Sequence, residues 1–424
     1  GVNANIVSVD VVDNLTVKIT LERGDTQFLG LMYRAGRYVM RANAQIADSK
    51  TCSSNPIGTG PFMKQSYSAD ELVVVKNPNY WRKDASGGKL PYLDKITFIN
   101  IKEASSRAAA VRSGAVDAAF FTTGDATFIL DLAKRKSVVK QYVASKTAWG
   151  QWMPNVGKAG SPFKFLNCRL AAAHAIDWNA YNKVRLKGLG SYSGSVVGKT
   201  SVMFTTAGTP KYNVAKAKEF TAKCNTDLGA AAPFKLTLYA DSSSQSQKNI
   251  KFIGDMLAKA DIQLNATNIE ESAVLVSKIY RGGGNLFDFA EGTPAEGDAI
   301  GYIVQFFLSK AFPTDSKNPM AATAYGKGYN TVIALGGHGD TNMDNLFYAA
   351  MADTNKTTAK AKWAAATKYL QENALAIPAV HGGFWMFTND SSKLLGVGAL
   401  KNPDGSKPSL METKGFEWTG IYKG

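Results

Sequence analysis

The stretch Gly194-Ser195-Val196-Val197-Gly198-Lys199-Thr200 ends in the Gly-Lys-Thr of a phosphate-binding loop, where backbone amides and a lysine hold nucleotide phosphates. It is one residue short, because the motif places four residues between its first glycine and the Gly-Lys pair, and that first position holds Ser193. No apolar strand leads into it either, since Lys187 to Gly194 is rich in Gly and Ser, and the stretch reads as a surface loop. Gly190-Ser191-Tyr192-Ser193-Gly194 has the frame of a nucleophile elbow, but Tyr192 occupies the centre where serine is required. His174, His338 and His381 lie far apart, and none belongs to a zinc motif. His174 falls in an Ala-rich helical run and reads as a packed helix residue, and His338 sits between glycines in a loop. His381, beside Gly-Gly-Phe-Trp, suits either a cleft or a structural hydrogen bond. A catalytic reading therefore needs a hydrolase site assembled in space around His381 or His338. No metal or cofactor motif is found in the sequence.

The aromatic residues point to binding by burial rather than to catalysis. Trp149, Trp152, Phe384 and Trp385 cluster in two short segments, and indoles give a large contact area with few rotors to freeze. Packing in a core between lobes is the competing use of Trp149, Trp152 and Trp385.

The elements that must position these groups follow from pattern. Ile6 to Leu21 alternates apolar and polar residues about an Asp-Asn turn, which is a hairpin. Asn55-Pro56-Ile57-Gly58-Thr59-Gly60-Pro61-Phe62 predicts a stiff corner, with glycines that permit positive φ or close approach and Pro61 holding Gly60 out of the helical region. Strands follow at 71–75 and 95–101, separated by a Pro/Gly/Asn-rich loop with Tyr80 and Trp81. A helix over 104–113 ends at Gly114 before the apolar segment 116–121. Beyond Gly150 the spacing predicts helices at 169–187, from Asn213 to about 224, and at 247–260, and strands at 234–240, 262–269 and 287–290. Two helices, 344–353 and 356–373, and an apolar strand at 376–380 close the order. Such alternation implies an α/β lobe with a mixed sheet.

Composition sets the limits. At 424 residues and 45.5 kDa, with 45% hydrophobic and 20% charged residues, the chain suits a globular protein of two lobes. The sequence has no apolar run of about 18 residues, the length a membrane span needs. It starts at Gly1 without Met, basic n-region or apolar h-region, so any targeting peptide is already absent. Cys52, Cys168 and Cys224 suit one bridge plus one free thiol, or three buried thiols. The net charge of +15 would suit an anionic partner, but Lys134-Arg135-Lys136 and Lys356, Lys360, Lys362 and Lys368 fall on amphipathic helical segments and read as solvated faces. No basic stretch interleaves with aromatics, which argues against nucleic acid.

Residues 55 to 120 carry an ordered set of motifs: Gly58-Thr59-Gly60-Pro61-Phe62, Asn77-Pro78-Asn79-Tyr80-Trp81, Pro91-Tyr92-Leu93-Asp94-Lys95-Ile96, and Arg107 with Ser113-Gly114-Ala115-Val116-Asp117. The set resembles the signature region of the peptide-type (family 5) extracellular solute-binding proteins of ABC importers. Leu170 to Tyr181, Asn213 to Cys224, Ala374 to His381 and Phe416-Glu417-Trp418 are similar to later family segments, so nearly the whole chain is covered. Two departures stand out. Family chains run further at the N-terminus, so the first lobe reads as incomplete. Dipeptide binders carry a Gly-Asp-Pro-Asp step preceded by Trp and an upstream Arg, whereas here Gly297-Asp298 precedes Ala299-Ile300, Gly292 stands in the Trp position and 242–247 lacks Arg.

The resemblance implies a two-lobe α/β binding-protein fold with mixed sheets and a central cleft. It places residues 1–150 and 388–424 in lobe I and 151–387 in lobe II. It implies a non-enzymatic, cofactor-free monomer, periplasmic or anchored at the outer face of the cytoplasmic membrane. Such a protein captures a small solute, oligopeptides included, by hinge closure and delivers it to an ABC permease. Ligand contacts are expected from Trp149, Trp152, His381 and Trp385. Asp298, with Glu296 as a weaker partner, is expected to face a cationic group of the solute, with capping of the following helix as the competing role.

Overall fold

A computed structural model describes residues 6–31, 45, 51, 54–144, 150–156, 160–229, 234–270, 289–292, 300, 307, 340–402, 405, 411–412 and 415–424. The chain forms two compact units: a larger one from Gly1–Arg37 and Lys146–Gly382, and a smaller one from Tyr38–Ser145 and Gly383–Gly424. This division differs from the expected lobes chiefly in grouping the first 37 residues with the middle of the chain. Two contacts tie them there. The Thr26 amide and hydroxyl donate to the Met351 carbonyl at 3.0 and 3.1 Å, and the Arg23 guanidinium lies 4.1 Å from the Tyr348 ring centre.

The hairpin of β1 (Ile6–Val11) and β2 (Val17–Leu21) pairs Val9 with Ile19 and Val11 with Val17, and its turn is held by the Leu15 amide on Asp13 Oδ1. In the smaller unit, β3 (Phe62–Tyr67), β4 (Glu71–Lys76) and β5 (Lys95–Ile99) form an antiparallel meander. The corner before β3 is explained by its neighbour. The Asn77 side chain donates to the Gly60 carbonyl at 2.8 Å and the Asn77 amide to the Pro61 carbonyl at 2.9 Å, so the Asn-Pro-Asn-Tyr-Trp loop clasps the Gly-Thr-Gly-Pro-Phe corner. Gly60 itself takes no left-handed conformation, and a Cβ there would meet only the Phe62 carbonyl at 4.0 Å, so the clasp rather than glycine's freedom shapes the turn.

Helix α1 (Ala104–Ser113) ends at Gly114 with φ 80°, the left-handed cap the sequence predicts. Strand β6 (Ala118–Thr122), helix α2 (Ala126–Ala133) and strand β7 (Val139–Ala144) follow. Arg107 of α1 binds Asp125 at 3.0 Å and donates to the carbonyls of Phe120 and Ile101, which locks α1 against β6.

The larger unit resumes with β8 (Gln151–Pro154) and a helix pair. One helix is expected over 169–187, but the structure has two, α3 (Leu166–Ala175) and α4 (Trp178–Arg185). The break falls where Ile176 is extended and Asp177 Oδ1 accepts from the amides of Asn179 and Ala180 at 3.0 and 2.9 Å. Helix α5 (Val214–Leu228) starts at its cap Asn213, whose side chain accepts from the Lys216 amide. A disulfide joins Cys168 of α3 to Cys224 of α5, with Cα atoms 4.7 Å apart, which decides between the two cysteine alternatives; Cys52 lies outside the described residues.

Strand β9 (Lys235–Asp241), helix α6 (Ser244–Ala258), strand β10 (Gln263–Glu270) and strand β11 (Phe289–Gly292) lead to helices α7 (Thr341–Met351) and α8 (Lys356–Glu372). The expected closing strand at 376–380 is only the two-residue β12 (Ile377–Pro378). The sheet order is β10-β9-β11-β8-β12. Strands β10 and β11 run parallel to β9, whereas β8 runs antiparallel to β11 and β12. Its two faces bury separate cores, with Met153 in one beside Phe347 and Trp363, and Trp152 in the other beside Phe163, Trp178 and the disulfide. Strand β13 (Phe384–Asn389) returns the chain to the smaller unit, between β6 and β7.

Candidate solute-binding site

Gly150 lies just before β8 and His381 just after β12, so the sheet brings them together. The Gly150 amide donates to His381 Nδ1 at 3.2 Å, which puts the imidazole proton on Nε2. Nε2 lies 3.0 Å from both the Ser195 carbonyl and Ser193 Oγ, and His381 is buried with a bridge to Ser191. A Ser-His pair at this distance suggests acyl transfer, but the proton lies on the wrong nitrogen. Nε2 is the donor and cannot accept the serine proton. His381 thus holds the loop 190–197 to the sheet.

That loop is the one that mimics a phosphate loop, and the surface reading is corrected. Ser195, Val196 and Val197 are fully buried, and both valines pack with Met203, Phe347 and Trp363. Val196 offers its amide to the Gln371 side chain at 3.0 Å, so an amide that could face a phosphate is already satisfied inside the protein.

Trp152 is 4% exposed and packs against Trp178, with ring centres 5.8 Å apart, on the disulfide-bearing side of the sheet. Trp385 lies in the middle of the β6-β13-β7 sheet of the smaller unit, opposite Phe121 and Val143, and is also buried. Trp149, Glu296, Asp298 and His338 lie outside the described residues. His174 is half-buried in α3, stacked on Phe220, and its Nδ1 pairs with the Lys211 carbonyl at 2.6 Å. Burial lowers its pKa. Among the described residues no group of three or more His, Cys, Asp or Glu could hold a metal ion, and no helix is long and apolar enough to cross a membrane.

The sheet of the larger unit has a pronounced polarity. The pairings put the carboxyl ends of β9, β10, β11 and β12 at one end, with the amino end of β8 between the last two. Loops leaving strand carboxyl ends are where open α/β sheets place ligands. Gln151 occupies this end of β8, and sequence reasoning passed over it. The available signal was a polar residue in the otherwise apolar run Trp149-Gly150-Gln151-Trp152-Met153.

A two-unit α/β fold, with a mixed sheet whose strand ends gather at one end and with the chain passing three times between units, defines a protein of the binding-protein class. The chain belongs to the bacterial extracellular solute-binding proteins, family 5, whose middle region matches residues 2–313. It is 26% identical over 320 residues to the glutathione-binding protein GsiB of Salmonella paratyphi A, covering 74% of this chain and 60% of that protein. The chain thus spans about three fifths of the length of that curated relative. Among solved structures it is similar to AgaA of A. tumefaciens R10 in complex with agropinic acid, with TM-score 0.78 and 18% identity over 99% of this chain and 78% of that one. It is also similar to the periplasmic binding protein DppA of Helicobacter pylori in complex with the peptide STSA, with TM-score 0.77 and 19% identity over 99% and 74%.

Proposed function

We propose that this protein is the solute-capturing component of an ABC importer, which takes up a small peptide-like solute outside the cytoplasm and hands it to a membrane permease. The observation that carries the reading is the family match across residues 2–313. Relatives described as binding glutathione, the peptide STSA and agropinic acid share a chemistry: small polar molecules carrying carboxylates and amide or amine groups. Solute selectivity is this chain's own, because its residues depart from the dipeptide pattern at Gly292 and Ala299.

The mechanism proposed is ligand-driven closure hinged near residues 145–146 and 382–383, two of the three places where the chain crosses between units. The protein acts as a monomer without catalysis, in the periplasm or anchored at the outer face of the cytoplasmic membrane. Trp149, Trp385, Glu296 and Asp298 are proposed solute contacts, with Asp298 taking a cationic group. Trp152 and His381 are proposed to act indirectly, since Trp152 packs on Trp178 in the disulfide-bearing core and both ring nitrogens of His381 are engaged by Gly150, Ser193 and Ser195.

Native mass spectrometry of the purified protein, followed by thermal shift with glutathione, STSA, Met-Leu and agropinic acid, tests the reading. A retained or added solute should raise the melting temperature, by mass action on the folded state. A protein that carries none, responds to none, and turns over an ester or amide panel would be an enzyme instead.

A further inference from the structure

Two buried glutamines in the larger unit behave in opposite ways. Gln371 is fully buried and fully satisfied: its Oε1 accepts from the Val196 amide at 3.0 Å, and its Nε2 donates to the carbonyls of Thr205 and Ala207 at 3.2 and 2.7 Å. Gln151 is also fully buried, yet among the described residues neither its Oε1 nor its Nε2 has a hydrogen-bond partner. Native proteins rarely leave one such atom unpaired, because a buried donor or acceptor without a partner costs the full desolvation of that group. Both atoms of one carboxamide left unpaired among the described residues mark a place where a further hydrogen-bonding group fits.

The place is informative. Gln151 pairs across the sheet with Gly292 on one side and Pro378 on the other. Glycine brings no side chain to that row and the proline ring carries no polar atom, so neither neighbour offers a side-chain partner for the amide. Gln151, Gly292 and Pro378 are also the terminal residues of β8, β11 and β12 at the sheet end where the carboxyl termini of β9 to β12 gather. Helix α6, which follows β9, starts at this same end, with Ser243 as its cap. An unpaired donor-acceptor pair and the sheet end that suits ligands thus coincide by independent routes.

We propose that the Gln151 carboxamide is a solute-reading group, whose C=O accepts an N–H and whose NH2 donates to a C=O of a peptide-like amide in the solute. A carboxamide offers donor and acceptor side by side, the complement of the N–H and C=O that one residue of an extended peptide turns to the same side. The inference rests on the solute-binding reading and adds a residue and a chemical group to it.

The test uses the whole chain and a defined mixture of di-, tri- and tetrapeptides together with glutathione. Retained species are identified by native mass spectrometry, and their affinity is measured by calorimetry for the unaltered protein, Gln151→Met and Gln151→Asn. Methionine keeps the length and removes both hydrogen-bonding atoms. The expected result is a solute-free melting temperature that is unchanged or raised in Gln151→Met, with affinity lowered about tenfold to a hundredfold for two lost hydrogen bonds. Gln151→Asn keeps the amide and should lose less affinity. Affinity in Gln151→Met within about twofold of the unaltered protein overturns the assignment, since even one hydrogen bond is worth more than that. A Gln151→Met protein that melts several degrees lower or fails to fold also overturns it, by showing that an internal water or the fold itself uses the amide. If the unaltered protein retains nothing from the mixture, the functional reading fails, an outcome distinct from equal binding by both proteins.

Discussion

The amide of Gly150 and Nδ1 of His381 stand 3.2 Å apart across 231 residues of sequence, and that single bond fixes which imidazole nitrogen carries the proton. With the proton on Nε2, the ring ties the loop at Ser195 to the start of β8. The neighbouring backbone is closely packed, for a Cβ on Gly150 would lie 2.1 Å from the Val380 carbonyl oxygen. His381→Ala leaves the Gly150 amide and the Ser195 carbonyl without their partner, and should cost about 2–4 kcal/mol. Denaturant unfolding measures this. Ser193→Ala should leave ester hydrolysis at background, as in the unaltered protein; a drop in genuine turnover would restore the hydrolase reading.

The disulfide closes a loop with a sequence separation of 56 residues between α3 and α5. Loop closure of that length removes unfolded-state entropy equivalent to about 4 kcal/mol in the chain-entropy account, with about 2–5 kcal/mol as the usual range. Cys168→Ala with Cys224→Ala should therefore lower the melting temperature markedly, whereas reductant added to the folded protein should act slowly, because both sulfurs are buried. A double variant that melts with the unaltered protein would show that the bridge adds no net stability.

Acid should destabilise the fold through two separate groups. The Lys362 ammonium at 2.7 Å, with the Thr358 hydroxyl and Asn355 amide, holds the Asp353 carboxyl at about 2 rather than its ordinary 3.8. A depressed folded pKa gives stability that is complete above 3.8 and is lost as pH falls toward about 2. His174 has its pKa lowered from 6.5 by burial, so the unfolded chain takes up that proton more readily and stability declines as pH falls below 6.5. Melting temperatures across this range should fall less steeply in Asp353→Asn at the acid end and in His174→Gln nearer neutrality. Curves parallel to that of the unaltered protein would remove either group from the account.

Local rules carried much of the fold. Asn213, Gly114 and the alternation about Asp13-Asn14 act through atoms a few residues away, and a sequence shows them directly. Asp177 shows how a cap hides inside an amphipathic run: the apolar spacing continues across it, but its carboxylate binds the next two free amides and restarts the helix. Burial of Ser195 to Val197 was not legible, because the core that covers it comes from α7 and α8, some 150 residues later. The same holds for the candidate site. A lone Gln151 in an apolar strand means little until the sheet sets Gly292 and Pro378 beside it and leaves its amide unpaired among the described residues.

Gln371 gives the last prediction, and it calibrates what a satisfied buried amide is worth here. Its side chain closes three backbone groups of the 196–207 segment: one N–H, at Val196, and two carbonyls, at Thr205 and Ala207. Gln371→Leu fits the volume but orphans all three, and should cost about 3 kcal/mol or more. Gln371→Glu separates hydrogen bonding from packing. Its carboxylate can still accept from Val196, but it turns a second oxygen toward the carbonyls of Thr205 and Ala207, which repels them and raises the carboxyl pKa in the folded state. A raised carboxyl pKa means the protonated form is the one the fold prefers, so the penalty is largest near neutral pH and eases as pH falls below that raised value. The melting temperature of Gln371→Glu relative to the unaltered protein should therefore recover on acidification from about pH 7 to about pH 5, a window in which an ordinary carboxyl near 4.3 would stay ionised. A deficit independent of pH would mean that Gln371 acts through its shape alone.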